Sequence, residues 1–150
     1  MTLSPKLANL TRRSLVLKSA RDFFFSRGFM EVETPILSPA VIPEAHIDPM
    51  TWGDRYLLPS PELYMKQLLA QGAGNIFQIC KCFRKDERGS RHLPELTLLE
   101  WYVPGQTYDD LMTFCQDLIR RIAADLNLGS QLPYQGQILF GTSCNGLSGT

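Results

Sequence analysis

The chain has 150 residues with 15 basic and 15 acidic side chains, so its formal net charge is zero. That length suits one domain with a real core, and the zero balance argues against a broad nonspecific nucleic-acid surface. No apolar run reaches the roughly 20 residues of a membrane span and no secretory signal opens the chain, which points to a cytoplasmic protein with no membrane partner. The four cysteines, Cys80, Cys82, Cys115 and Cys144, read as reduced thiols. Cys80 and Cys82 alternate on one expected strand, which is poor geometry for a mutual bridge or a zinc knuckle, and no metal site is expected.

The periodicity predicts a first helix from about Leu10 to Arg27, with Leu15, Val16, Leu17, Ala20, Phe23 and Phe24 on its apolar face and Gly28 as its stop. Phe29 to Thr34 alternates and runs into Pro35, the pattern of a strand leaving into an extended turn. Ser38 to Asp54 holds Pro39, Pro43, Pro49 and Gly53 and reads as irregular loop, followed by a short strand at Leu57 and Leu58. Ser60, Pro61 and Glu62 open a second helix by cap, first-turn proline and dipole-matched acid, running to about Ala70.

Two apolar, β-branched and aromatic runs follow, Ile76–Phe83 and Leu96–Tyr102, separated by the charged stretch Arg84 to Glu95. This is the pattern of a hairpin with a long loop, and long ordered loops are often functional. Side chains two apart share a sheet face. Gln78, Cys80, Cys82 and Arg84 therefore point one way, as do Leu96, Leu98, Glu100 and Tyr102. If the two faces coincide, Arg84 and Gln78 look across at Glu100 and Tyr102 over a polar floor, with Phe77, Ile79, Phe83, Leu99 and Trp101 behind it. A solvated face of an ordinary antiparallel sheet fits the same spacing equally well. Pro104 and Gly105 then turn the chain into a helix from about Tyr108 to Leu126. Its stripe of Leu111, Phe114, Cys115, Leu118, Ile119, Ile122 and Leu126 is expected to be core, and Gly129 its stop. The last ten residues lack charge and periodicity and read as a disordered tail after a folded region over residues 1–140.

Gly28–Pro35 resembles motif 1 of the class II aminoacyl-tRNA synthetases, and Phe83–Glu100 resembles their motif 2. Ser60–Leu69 and Leu99–Tyr102 resemble the lysyl branch, in particular the paralogues that attach β-lysine to a lysine of elongation factor P. The resemblance covers about Leu10 to Leu128. It implies an α+β fold, the N-terminal half of a synthetase catalytic domain with an antiparallel sheet flanked by helices. It also implies a two-step reaction. A lysine or β-lysine carboxylate attacks the α-phosphate of ATP, with magnesium assisting, to give an acyl-adenylate and pyrophosphate. The acyl group then passes to an amine of the protein acceptor.

The same resemblance assigns residues. Arg84 is the catalytic cation, because its planar fork matches both the α-phosphate and the substrate carboxylate. Arg91 and His92 would reach the outer phosphates, Asp86 the adenine amino group or loop backbone, and Leu96 would cover the adenine ring. Glu62 would meet the α- or β-amino group, and Glu100 with Tyr102 the terminal ammonium. Gly28, Phe29, Val32, Thr34 and Pro35 would build a homodimer interface. On residue type alone, Glu62 is also an ordinary helix N-terminal charge, Glu100 a solvated strand glutamate and His92 a surface histidine.

The chain departs from the family at three places. Leu96 replaces the usual Phe and forgoes about 0.5–1.5 kcal/mol of aromatic stacking. Leu93 stands where the close relatives carry Asn. Motif 3 has no counterpart after Leu128, so the chain alone is expected to be a poor ligase, with magnesium ligands expected elsewhere. Two other readings keep the motifs: a lysyl-tRNA synthetase-like protein acting on tRNA, which the zero net charge disfavours, and a non-catalytic dimerisation module.

Overall fold

Ser4 and Pro5 start the first helix before its apolar face begins. In the computed structural model α1 spans Pro5–Ser26, and the Ser4 hydroxyl accepts from the Leu7 amide at 3.3 Å while Pro5 fills the first turn. Described here are residues 4–41, 48–85, 92–129, 131–134 and 137–140, the last two stretches by backbone alone. The predicted start at Leu10 is therefore late, because the cap lies outside the apolar repeat. Gly28 ends the helix as predicted, at φ +75°, a conformation that a side chain would strain.

The contacts divide into two compact units, Met1–Arg27 with Gln106–Thr150, and Gly28–Gly105. In the first unit α1 pairs antiparallel with α3 (Tyr108–Asp125). Phe23, fully buried, sets its ring edge-on to Phe114 at 5.1 Å, and the Arg27 guanidinium lies 3.6 Å above the Phe23 ring. Ser19 donates to Asp125 at 2.7 Å at the other end of the pair. Thr107 caps α3 in a reciprocal box with Asp110. The helix ends at Asp125 with Leu126 as its C-cap, close to the predicted end at Leu126, and Asn127 (φ +54°) turns the chain ahead of Gly129 (φ +71°). Its apolar stripe is divided: Leu118 is buried, but Leu111 and Ile119 are 40% and 57% exposed, so the expectation of a wholly buried stripe is corrected. Leu15 of α1 is likewise exposed. A backbone hairpin, β7 (Gln131–Tyr134) with β8 (Gln137–Phe140), follows α3.

The second unit holds two three-stranded sheets and α2 (Glu62–Ala70). One sheet is β1 (Met30–Glu31), β5 (Ile76–Phe83) and β6 (Glu95–Tyr102), in the order β1-β5-β6. β5 and β6 form the expected antiparallel hairpin, whereas β1 joins β5 in parallel, making the sheet mixed. β1 is also shorter than the six-residue strand read from the sequence. The other sheet orders β2 (Leu37–Ser38), β4 (Arg55–Leu57) and β3 (Met50–Trp52), all antiparallel. β3 lies within the range read as loop, because three residues between Pro49 and Gly53 carry no measurable alternation. The combination is α+β. Among the described residues no helix is long and apolar enough to cross a membrane.

Candidate functional site

The register of β5 and β6 decides what faces what. Gln78 lies opposite Glu100, Cys80 opposite Leu98 and Cys82 opposite Leu96. Directly opposed residues share a face, so the two faces inferred from parity do coincide. Phe77 opposite Trp101 and Ile79 opposite Leu99 form the reverse side. Arg84 continues the polar face, but its amide donates to the Pro94 carbonyl at 2.9 Å. It therefore stands six residues beyond Gln78, about 20 Å along the strand at ~3.3 Å per residue. The expectation that Arg84 looks across at Glu100 is corrected: the two mark opposite ends of one floor. A ligand touching both must be extended.

Glu100 is the best-organised polar group on this floor. Ser60 donates to its Oε2 at 2.7 Å and Tyr102 donates to its Oε1 at 2.7 Å. A carboxylate has about four acceptor sites, so roughly two remain for a ligand. Among the described residues no Lys or Arg forms an ion pair with Glu100. Burial pushes the Tyr102 phenol up, and its bond to Glu100 adds to the shift, so Tyr102 remains a donor across the ordinary pH range. Two neutral hydroxyls thus hold a half-buried carboxylate that makes no direct ion pair among the described residues. That arrangement suits a cation brought by a ligand.

Ser60 does more than the sequence reading allowed. Its hydroxyl also accepts from the Glu62 amide at 3.1 Å, so one oxygen both caps the start of α2 and braces Glu100. The cap acts from the residue before Pro61, which directly precedes α2. The signal for this second role is the Ser-Pro-Glu cap lying beside the sheet face, which only the fold provides. Glu62 sits in the first turn of α2, and its Oε1 pairs with Lys66 one turn later. Lys66 also feels Glu100 electrostatically, and Tyr102 feels Glu62, so these four side chains form one neighbourhood.

The floor continues through Gln78, which is buried and accepts from the Thr34 hydroxyl at 3.0 Å. Thr34 follows the edge strand β1, so this bond ties residues 30–35 to the centre of the floor. Thr34, Ser60, Gln78, Cys80 and Cys82 line a narrow cleft. The Cys80 and Cys82 sulfurs lie 3.7 Å apart, and both are free thiols, as is Cys115. The Cys80 thiol and burial push the Cys82 thiol up, keeping it protonated.

The remaining candidates are scattered. Phe29 is buried, Val32 donates from its backbone to the Phe77 carbonyl at 2.9 Å, and Gly28 and Pro35 are exposed. Leu96 is half-buried on the floor beside Cys82, and His92 is exposed. Asp86, Arg91 and the tail from 141 to 150, with Cys144, lie outside the described residues. Lys85, at the mouth of the loop, is anchored by its amide to the Asp48 carbonyl at 2.9 Å. Among the described residues no cluster of three or more His, Cys, Asp or Glu side chains could hold a metal ion.

A motif 2-like hairpin with a basic end and a carboxylate end, beside a Ser-Pro-Glu helix, defines the chain as a class II synthetase-type protein. It belongs to the tRNA synthetases class II (D, K and N), which match residues 4–138. Within that family it is similar to the elongation factor P–(R)-β-lysine ligase of Pseudoalteromonas translucida (strain TAC 125), with 42% identity over 144 residues. That match covers 88% of this chain and 44% of the relative. The ligases of the same name from Erwinia tasmaniensis and Salmonella typhi are 40% and 38% identical, over 79% and 91% of this chain. The chain spans less than half the length of these curated relatives, 40% to 45%.

Proposed function

We propose that the chain carries the amino-acid end of a lysine-type adenylate site and serves ATP-dependent activation of lysine or β-lysine, followed by transfer to an amine of elongation factor P. The observation that carries this reading is the Glu100 carboxylate, braced by Ser60 and Tyr102 on the same face as Arg84. Glu100 and Tyr102 take the terminal ammonium and Glu62 the α- or β-amino group. Arg84, at the far end, takes the substrate carboxylate and the α-phosphate of ATP. The two ends offer opposite charges, a carboxylate for the ligand's cation at one end and a guanidinium for its anion at the other.

His92, Asp86 and Arg91 serve the nucleotide from the loop, and Leu96 covers part of the adenine. ATP supplies the activated phosphate. Magnesium would accompany it, but the described residues offer no cluster that fits the ion. Residues 28–35, at the sheet edge, pair two copies of the chain into a homodimer. The acceptor is a protein amine rather than tRNA, in keeping with the zero net charge, and the protein works in the cytoplasm.

Lysine binding tests the carboxylate end, and ATP–pyrophosphate exchange tests the whole reaction. The unaltered chain is expected to bind lysine or β-lysine, with the Glu100→Gln variant losing about tenfold or more in affinity, as for a half-buried charge-assisted contact. Equal binding of lysine and norleucine would refute the assignment.

A further inference from the structure

The Glu62 carboxylate already holds an ammonium. Lys66, four residues on along α2, places its Nζ on Glu62 Oε1, with side-chain exposures of 59% and 32% for Lys66 and Glu62. Lysine at this spacing is a common helix pair, but here the carboxylate belongs to the neighbourhood of Glu100, Ser60 and Tyr102. The group that Lys66 presents, an ammonium on a four-carbon stem, is chemically the same as the side chain of a lysine-type ligand. Counting charges, Glu62 and Glu100 contribute two negative and Lys66 one positive, so the neighbourhood carries a net single negative charge.

We propose that Lys66 is an internal competitor for the second ammonium of the ligand: it holds Glu62 and must yield that carboxylate when a lysine-type ligand presents its own amino group. The inference rests on the assignment of Glu62 to the ligand's amino group and extends it, making Lys66 a specificity-determining residue. A competitor tethered four residues away is always present, so the ligand's net gain at Glu62 is the difference between two similar ion pairs. Glu100 has no such occupant among the described residues. The site therefore selects chiefly for the terminal ammonium and reads the second amino group weakly. That tolerance suits a site that accepts an amine at either of two adjacent carbons. Lys66 also lies close enough to Glu100 for that carboxylate to raise its pKa, after the larger effects of its bond to Glu62 and the Glu62 charge, so its departure from Glu62 does not take it out of the acidic neighbourhood.

Calorimetric titration of the full chain separates this from a general charge effect, using lysine and 6-aminohexanoate. The second ligand keeps the terminal ammonium and the carboxylate but lacks the amino group that needs Glu62. Lys66→Met is expected to tighten lysine binding about two- to fivefold, the size of an exposed charge pair, and to tighten 6-aminohexanoate clearly less. Lys66→Arg, which keeps a cation on Glu62, is expected to bind lysine no more tightly than the unaltered chain. Thermal unfolding of both variants should match that of the parent, because an exposed charge on a helix surface contributes little to stability. Unchanged or weaker lysine binding in Lys66→Met overturns the proposal, and so does equal tightening of both ligands. If the unaltered chain binds neither ligand, the assignment of the site fails and the competitor role with it. If it binds lysine but Lys66→Met does not discriminate, the competitor role alone fails.

Discussion

Replacing Ser60 by alanine removes two hydrogen bonds made by one oxygen: the 2.7 Å bond to Glu100 and the 3.1 Å bond from the Glu62 amide. A bond to a charged group contributes about 1.5–3 kcal/mol when buried, and losing a helix cap costs about 1 kcal/mol. Ser60 and Glu100 are both half-buried, so water recovers part of each loss, and the expected destabilisation is about 2 kcal/mol. Trp52 and Trp101, the two tryptophans of the chain, both lie within Gly28–Gly105. Tryptophan fluorescence in urea therefore reports the unit that contains the site. With a slope of about 1–2 kcal/mol per molar, the midpoint should fall by about 1 M or more. A double-mutant cycle with Glu100→Gln isolates the pair, and a coupling near 1 kcal/mol or above is expected. A midpoint unchanged by Ser60→Ala, or fully additive single substitutions, would refute the view that Ser60 braces the carboxylate.

The first unit should lose stability in acid in a way that two aspartates control. Bonds from the Thr107 backbone and side chain hold the Asp110 carboxyl below its usual range, and the Ser19 hydroxyl, followed by Arg121, does the same for Asp125. A depressed folded pKa gives stability that is present above the unfolded value, about 4, and is lost as pH falls through the folded one. Circular-dichroism melts across that window should show a shallower acid loss in Asp110→Asn with Asp125→Asn, together with a lower melting temperature at neutral pH. A parallel acid limb in the variant and the parent counts against this account. The thiols should separate by burial: Cys82 is 1% exposed and its thiol is pushed up, whereas Cys80 and Cys115 are half-buried. Iodoacetamide labelling mapped by peptide mass should reach Cys80 and Cys115 before Cys82. Labelling of Cys82 as fast as Cys80 in the folded chain would contradict the burial seen here.

Much of the secondary structure was legible because it rests on local rules. Helix α2 is marked by Ser60, Pro61 and Glu62, the β5–β6 hairpin by two apolar runs around a charged loop, and Gly28 stops α1 where only a positive φ fits. Parity along β5 and β6 correctly grouped Gln78, Cys80 and Cys82 with Leu96, Leu98 and Glu100. What failed were features too short or too separated to leave a periodic signal. The three residues of β3 could not show alternation, and the Ser4–Pro5 start of α1 preceded its apolar repeat. The α3 stripe was read as one surface although Leu118 is buried and Leu111 and Ile119 are exposed, because a helical repeat does not state how wide a partner is.

The candidate site divides along the same line. The motif resemblance, carried by residue order along the chain, named Arg84, Glu62, Glu100 and Tyr102 as candidates; residue type alone did not. Their working relations depend on register and on contacts between segments far apart in sequence. Only the tertiary structure sets Arg84 opposite Pro94 rather than Glu100, brings the Ser60 hydroxyl to a carboxylate 40 residues away, and turns Thr34 onto Gln78. Hydrogen bonds act over about 3 Å, and no pattern in a linear sequence reports which distant donors come that close. The sequence by itself determined the chemical kinds of group present and the face of each strand they occupy. The fold decided which carboxylate is braced by two hydroxyls, and which is already held by a lysine.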